Sequence, residues 1–177
     1  MVEVIFLGRG GQGAFTSSRI LAIAASLYGN KNSLCFPSFG PERRGAPVFA
    51  YTKIDDNPIR DRSQSLKGDY LVVLDESLYS KGLKDRLKSG GKIILNTTKI
   101  INDDDIITFD GKSVAIEFLG VPITNTAMLA ALVFITNIVS KEEIIKSIHY
   151  DLKKNLAIKN EKLIDYVAEY FGGDSYE

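Results

Sequence analysis

Cysteine and histidine are almost missing from this chain: its 177 residues include one of each, Cys35 and His149. One thiol cannot close an internal disulfide, complete a four-cysteine zinc site or hold an iron–sulfur cluster. One imidazole excludes a histidine-rich metal centre and leaves little for histidine-based catalysis. Net charge is absent as well, with 22 Lys and Arg against 22 Asp and Glu. A neutral chain has no general attraction for nucleic acid or for an anionic membrane. Long apolar runs are also lacking. The longest, Ala127 to Ile135, has nine residues, against the roughly 20 that a membrane-spanning helix needs. The start, Met1 to Gly8, carries no basic leader and no long apolar region, so no signal peptide and a cytoplasmic location are expected.

What remains is an ordinary globular mixture, 45% hydrophobic and 25% charged, of a size for about one domain. Val2 to Leu7 reads as a buried strand, a glycine turn follows, and Ala14 to Tyr28 has a broad apolar helical face. Strand, glycine turn and helix open an α/β unit. Ser33–Phe36 and Val48–Ile54 read as strands with no helix between them, so one of them is expected to run antiparallel. Further strands are expected at Tyr70–Leu74, Lys92–Asn96, Ile106–Phe109 and Val114–Leu119, and helices at Glu76–Lys88, Asn125–Ser140, Ser140 to about Lys154, and Ala157–Phe171. Ser140 with Glu143 matches a capping box. The expectation is a single three-layer α/β/α domain over residues 1–177, with a mixed, mostly parallel sheet, a Rossmann-like start and a helical part from about residue 140.

The chemistry-bearing motif is Gly8-Arg9-Gly10-Gly11-Gln12-Gly13, a G-x-G-x-x-G after a strand and before a helix. Glycines there permit close backbone approach, and free N–H groups at the helix start favour an anion. The dinucleotide fingerprint also wants an acidic residue at the end of the second strand. No Asp or Glu lies between Glu3 and Glu42. Three readings stay open: a nucleotide site in a free-standing α/β protein, a packing turn, and a phosphate or backbone contact that depends on a partner chain. No Walker sequence and no G-x-S-x-G elbow accompanies the loop. His149 and Cys35 sit in apolar surroundings and read as structural residues. Asp103-Asp104-Asp105 reads as a loop charge run without the convergent ligands a metal needs. Asp75 ends a strand, where a ligand residue or a helix cap would equally stand.

A second feature is Phe39-Gly40-Pro41-Glu42-Arg43-Arg44-Gly45, two arginines beside a glutamate in a glycine- and proline-rich loop. Arginine's planar fork suits carboxylates and phosphates, which makes Glu42, Arg43 and Arg44 candidate interface residues; a solvated loop with an internal ion pair is the alternative. In chain order these two motifs are followed by Asn57-Pro58-Ile59, by Gly68-Asp69 leading into Tyr70–Leu74 with Asp75, and by Val121-Pro122 leading into Asn125-x-Ala127. Together they resemble the gamma subunit, or gamma domain, of pyruvate and other 2-oxoacid:ferredoxin (flavodoxin) oxidoreductases. The resemblance covers nearly the whole chain and weakens after about residue 140. The family often has Tyr-Gly-Pro-Glu with one basic residue before paired glycines, where this chain has Phe39, Arg43-Arg44 and Gly45-Ala46.

The resemblance implies a multisubunit enzyme that oxidatively decarboxylates a 2-oxoacid, most often pyruvate, with coenzyme A as co-substrate. The products are an acyl-CoA and carbon dioxide, and ferredoxin or flavodoxin is reduced. Thiamine diphosphate, magnesium and iron–sulfur clusters would sit in partner subunits of alpha, beta and delta type, and this chain would be a non-catalytic subunit with no cofactor of its own. The residues agree: Gly68-Asp69 is followed by Tyr70, so the Gly-Asp-Gly start of a thiamine diphosphate motif is missing. The glycine loop, Gly8 to Gly13, and the arginine loop become candidate contacts to coenzyme A, a phosphate or a neighbouring subunit.

Overall fold

The computed structural model describes residues 1–38 and 45–172. Its centre is a six-stranded sheet in the order β2-β3-β1-β4-β5-β6. Strand β1 (Val2–Arg9) buries six consecutive residues, Glu3 to Gly8, and leaves Val2 and Arg9 at its ends partly exposed. It pairs antiparallel with β3 (Pro47–Asp55) and parallel with β4 (Gly68–Val73). Strand β2 (Asn32–Pro37) runs antiparallel to β3. Strands β5 (Leu87–Asn96) and β6 (Ile106–Phe109) extend the parallel half. The mixed sheet thus has the expected cause: β2 and β3 have no crossover helix between them, so they pair antiparallel.

Helix α1 (Ala14–Ile23) continues through a π-helical turn (Ala24–Tyr28). Helix α3 (Asn125–Thr136) is buried nearly all round, consistent with its unbroken apolar sequence. With α2 (Gly111–Leu119), α4 (Lys141–Asp151) and α5 (Lys154–Gly172) these helices enclose the main core with Val4, Phe6, Val72, Leu74 and Ile94. The opposite face carries a smaller cluster around Ile5, Leu7, Tyr51, Leu71, Val73, Ile93 and Leu95. Its covering layer is thin, built from two short 3₁₀ segments, Glu76–Leu78 and Lys81–Arg86. Helical layers therefore flank the sheet on both sides, but unequally.

Two elements differ from expectation. Glu76–Lys88 is not one helix. The chain is extended at Tyr79 and Ser80, which separates two short 3₁₀ segments, Leu78 and Leu83 stand five apart, and Leu87 already begins β5. Gly90 and Gly91 lie where the β4–β5 register shifts, Gly68 facing Leu87 and Tyr70 facing Lys92. Val114–Leu119 is not a strand but the body of α2. Its residue types favour strands, yet Val114 and Ala115 are buried while Ile116 is exposed, a helical spacing. Asp110 caps this helix by accepting the N–H of Ser113 at 3.0 Å, and Gly120 ends it at φ 76°. The capping box at Ser140 is formed in full.

Candidate functional site

In a parallel sheet, ligands enter at the carboxyl ends of the strands, where connections leave to opposite faces. That point here lies between β1 and β4. Strand β1 leads to α1 on the helical face, and β4 leads to the 3₁₀ segments on the other. The glycine loop occupies this point. Arg9 ends β1, Gly10 and Gly11 turn, and Gly13 at φ 83° caps α1 without a side-chain hydrogen bond.

The loop's own backbone donors are largely used within the fold. Arg9 N–H donates to Gln12 Oε1 at 2.7 Å, Gly10 N–H to the Ala46 carbonyl at 2.9 Å, and Gln12 N–H to the Arg9 carbonyl at 2.9 Å. Packing is tight around two of the glycines. A Cβ on Gly13 would come within 2.7 Å of Asn125 Nδ2 at the start of α3, and one on Gly8 within 3.1 Å of Leu74 Cδ1.

The loop's side chains converge on Asp75, just beyond β4. Gln12 Nε2 donates to Asp75 Oδ2 at 2.9 Å, and Arg9 Nε lies 3.3 Å from the same oxygen. Ser77 donates to Asp75 Oδ1 through both its N–H, at 2.9 Å, and its hydroxyl, at 2.6 Å. Arg9 also donates to Ser77 Oγ at 2.7 Å and to the Gly45 carbonyl at 3.0 Å. Burial pushes the Asp75 carboxyl up, but the hydrogen bonds from Ser77 and Gln12 and the Arg9 charge outweigh it and hold the group below its ordinary value. Asp75 is therefore both a cap for the turn after β4 and the hub that fixes Arg9 and Gln12.

Beside this hub opens a cleft of about 470 Å³, lined by Gln12, Asp75, Glu76, Asn96, Lys112 and Thr124, among others. Buried Asn96, the last residue of β5, donates to the Leu74 carbonyl at 2.9 Å and accepts the Lys112 N–H at 3.2 Å, joining β4 to α2. Thr124 Oγ1 donates to the same carbonyl at 3.2 Å. Thr97 donates to Glu76 at 2.8 Å, and Lys99 pairs with the other oxygen of that carboxylate. The wall is thus rich in hydroxyls and amides, with Asp75, Glu76 and Asp110 as its acids and Lys112 as its base.

The candidate residues Gly8, Arg9, Gly10, Gly11, Gln12 and Gly13 all lie at this point. Glu42, Arg43 and Arg44 fall outside the described residues. Asn96, Thr97, Lys112 and Thr124 were not singled out. A usable signal existed, since Asp75, Asn96 and Asp110 each close an apolar strand run with a polar residue. His149 is exposed and pairs with Glu161 at 2.7 Å, away from the cleft. Cys35 is half-buried in β2 rather than fully enclosed. Among the described residues no group of three metal-ligating side chains occurs, and no helix is long and apolar enough to cross a membrane.

The family described as pyruvate ferredoxin/flavodoxin oxidoreductase matches residues 3–170. The pyruvate synthase subunit PorC of Methanocaldococcus jannaschii is 46% identical over 167 residues, covering 92% of each chain. The pyruvate/ketoisovalerate oxidoreductases common subunit gamma of Thermococcus litoralis is 44% identical over 172 residues, again 92% of each. Among solved structures, pyruvate oxidoreductase subunit PORC of Thermotoga maritima superposes with a TM-score of 0.82 at 32% identity, covering 95% of both chains. A 2-oxoglutarate:ferredoxin oxidoreductase from Magnetococcus marinus shares the fold, with a TM-score of 0.79 at 14% identity; this chain spans 32% of its length.

Proposed function

The chain belongs to the pyruvate ferredoxin/flavodoxin oxidoreductase family, and from that premise we propose that it is the non-catalytic gamma subunit of a multisubunit, cytoplasmic 2-oxoacid:ferredoxin oxidoreductase acting on pyruvate. The whole enzyme would convert a 2-oxoacid and coenzyme A to acyl-CoA and carbon dioxide, passing two electrons to ferredoxin or flavodoxin. The observation that carries this reading is near end-to-end similarity to separate gamma-type subunits of matching length.

The residues support a supporting role. A lone thiol cannot ligate a cluster. The Gly68-Asp69 pair lies inside β4, and Asp69 is occupied, accepting the Glu3 N–H and a Lys88 N–H, each at 2.7 Å. Thiamine diphosphate, magnesium and the clusters, which supply decarboxylation and electron transfer when bound, therefore belong to alpha-, beta- and delta-type partners. A free-standing nucleotide-binding protein is the weaker alternative, because the loop's N–H groups on Arg9, Gly10 and Gln12 are already bonded internally.

For the glycine loop and its cleft we assign a contact with coenzyme A or with the subunit that binds it. The three carboxylates of the wall disfavour phosphate, while its hydroxyls and amides suit a neutral, amide-bearing chain such as the pantetheine arm. Purification from native cells through a tag on this chain tests the main reading: thiamine- and cluster-bearing chains are expected to accompany it, and a chain that migrates alone would sink it. In the purified complex, Gln12→Ala is expected to raise KM for coenzyme A severalfold while leaving KM for the 2-oxoacid unchanged. Unaltered kinetics would remove the loop from coenzyme A binding.

A further inference from the structure

On the thinly covered face of the sheet, at the end away from the cleft, ions replace apolar packing. Lys53 in β3 is fully buried, with Nζ 2.7 Å from Asp61 Oδ2 and 3.5 Å from Glu3 Oε1. Glu3 also accepts the Ser65 hydroxyl at 2.6 Å and pairs with Lys88 at 2.9 Å. Burial pushes the Glu3 carboxyl up, but Lys88, Ser65 and Lys53 outweigh it and keep the group below its ordinary value. Asp61 and Ser65 belong to the connection between β3 and β4, residues 56–67, which contains no helix or strand.

Ordering such a connection costs about 1–2 kcal/mol per residue in chain entropy, and burying an ammonium is costly unless it is well paired. Here Lys53 and Glu3 grip the segment at two points, Asp61 and Ser65. A further bond, from Ser63 N–H to Asp61 Oδ1 at 2.9 Å, shapes the turn between them. Arg60 and Arg62 on either side of Asp61, and Leu66 and Lys67 after Ser65, are exposed, Leu66 to 82%. Among the described residues, Arg60, Arg62 and Lys67 form no ion pair. The acids nearest in sequence are engaged, Asp61 with Lys53, Asp69 with Lys88 and Asp56 with Lys31 at 3.8 Å. The result is a pre-shaped loop that carries three cations without an ion pair among the described residues and one exposed leucine, and rigid loops of this kind bind with little further ordering cost.

We propose that residues 60–67 form a docking element for a partner subunit whose facing surface carries carboxylates and an apolar spot. The inference rests on the multisubunit reading above. Guanidinium groups pair bidentately with carboxylates, and Leu66 supplies the apolar contact that a purely ionic ligand would not use. The neutral whole chain and the interleaved Asp61 disfavour a polyanion such as nucleic acid.

The test is the assembled enzyme purified through a tag on this chain. Charge reversal in an R60E/R62E variant is expected to lower recovery of the thiamine- and cluster-bearing chains about tenfold at moderate salt, with the variant's melting temperature unchanged. Asp61→Asn, which loosens the anchor but keeps both arginines, is expected to give a smaller loss. Carbodiimide treatment of the wild-type complex is expected to couple Lys67 to an aspartate or glutamate of another subunit. Wild-type recovery and salt tolerance in R60E/R62E, with no intersubunit link from Lys67, would overturn the docking loop and leave the gamma-subunit reading intact. If the wild-type chain brings down no partner at all, that broader reading fails and this inference fails with it.

Discussion

Gly13 holds φ 83° and leaves no room for a side chain beside Asn125. Gly11 holds φ 94° with open space around it. Gly13→Ala therefore combines backbone strain with a clash and is expected to cost about 1–3 kcal/mol, whereas Gly11→Ala carries the backbone part alone. Urea unfolding of the two variants measures the difference as a larger drop in midpoint for Gly13. Carboxylates set the response to acid. Asp55 is lowered to about 2, first by the Asn57 N–H and then by the amino terminus. Glu3 and Asp75 also lie below their ordinary values. A carboxyl lowered on folding stabilises the protein above its unfolded value, near 4, and that contribution is lost as pH falls through the folded value. Melting temperature is thus expected to hold from about pH 7 to 5 and to fall steadily toward pH 2, and Asp55→Asn is expected to flatten the lower end of that curve.

Elements were legible where pattern and propensity agreed. The apolar runs of β1, β4, β5 and β6 and the capping box of α4 fall where the residues indicate. Residues 114–119 misled because their β-branched and aromatic side chains suit a strand, while the Asp110 cap and burial on one side only made them helical. Residues 76–88 misled because three leucines imitated a helical stripe across the extended Tyr79 and Ser80. Helix α3 is the element on which the main core closes, and Leu129 within it is fully buried. Leu129→Ala is expected to cost about 2–5 kcal/mol. Ser140→Ala removes one capping bond at the surface end of α4 and is expected to cost about 1 kcal/mol. Denaturant titration ranks the two, and a reversed order would contradict the placement of α3 at the core.

At the scale of the whole molecule, the two faces of the sheet divide the work. One is filled by helices α1 to α5; the other carries a thin cover, the Asp75 hub at one end and the Lys53 network at the other. A chain with such an unequal cover is suited to lying against another protein. Analytical ultracentrifugation of the natively purified, tagged chain is expected to give a mass several times 19.5 kDa, with the excess contributed by different chains.

Composition and motif order settled what this chain is related to and what it cannot carry: one cysteine and one histidine leave no cluster and no histidine-rich centre, whatever the fold. They settled the opening strand, turn and helix too, because those depend on neighbouring residues alone. Tertiary structure decided what the glycines are for. The close approach of Asn125 to Gly13, the closing of Arg9 and Gln12 on Asp75, and the grip of Glu3 on Lys53 and Ser65 join residues far apart in the chain. Such pairings arise from strand order and register, and no local pattern encodes them.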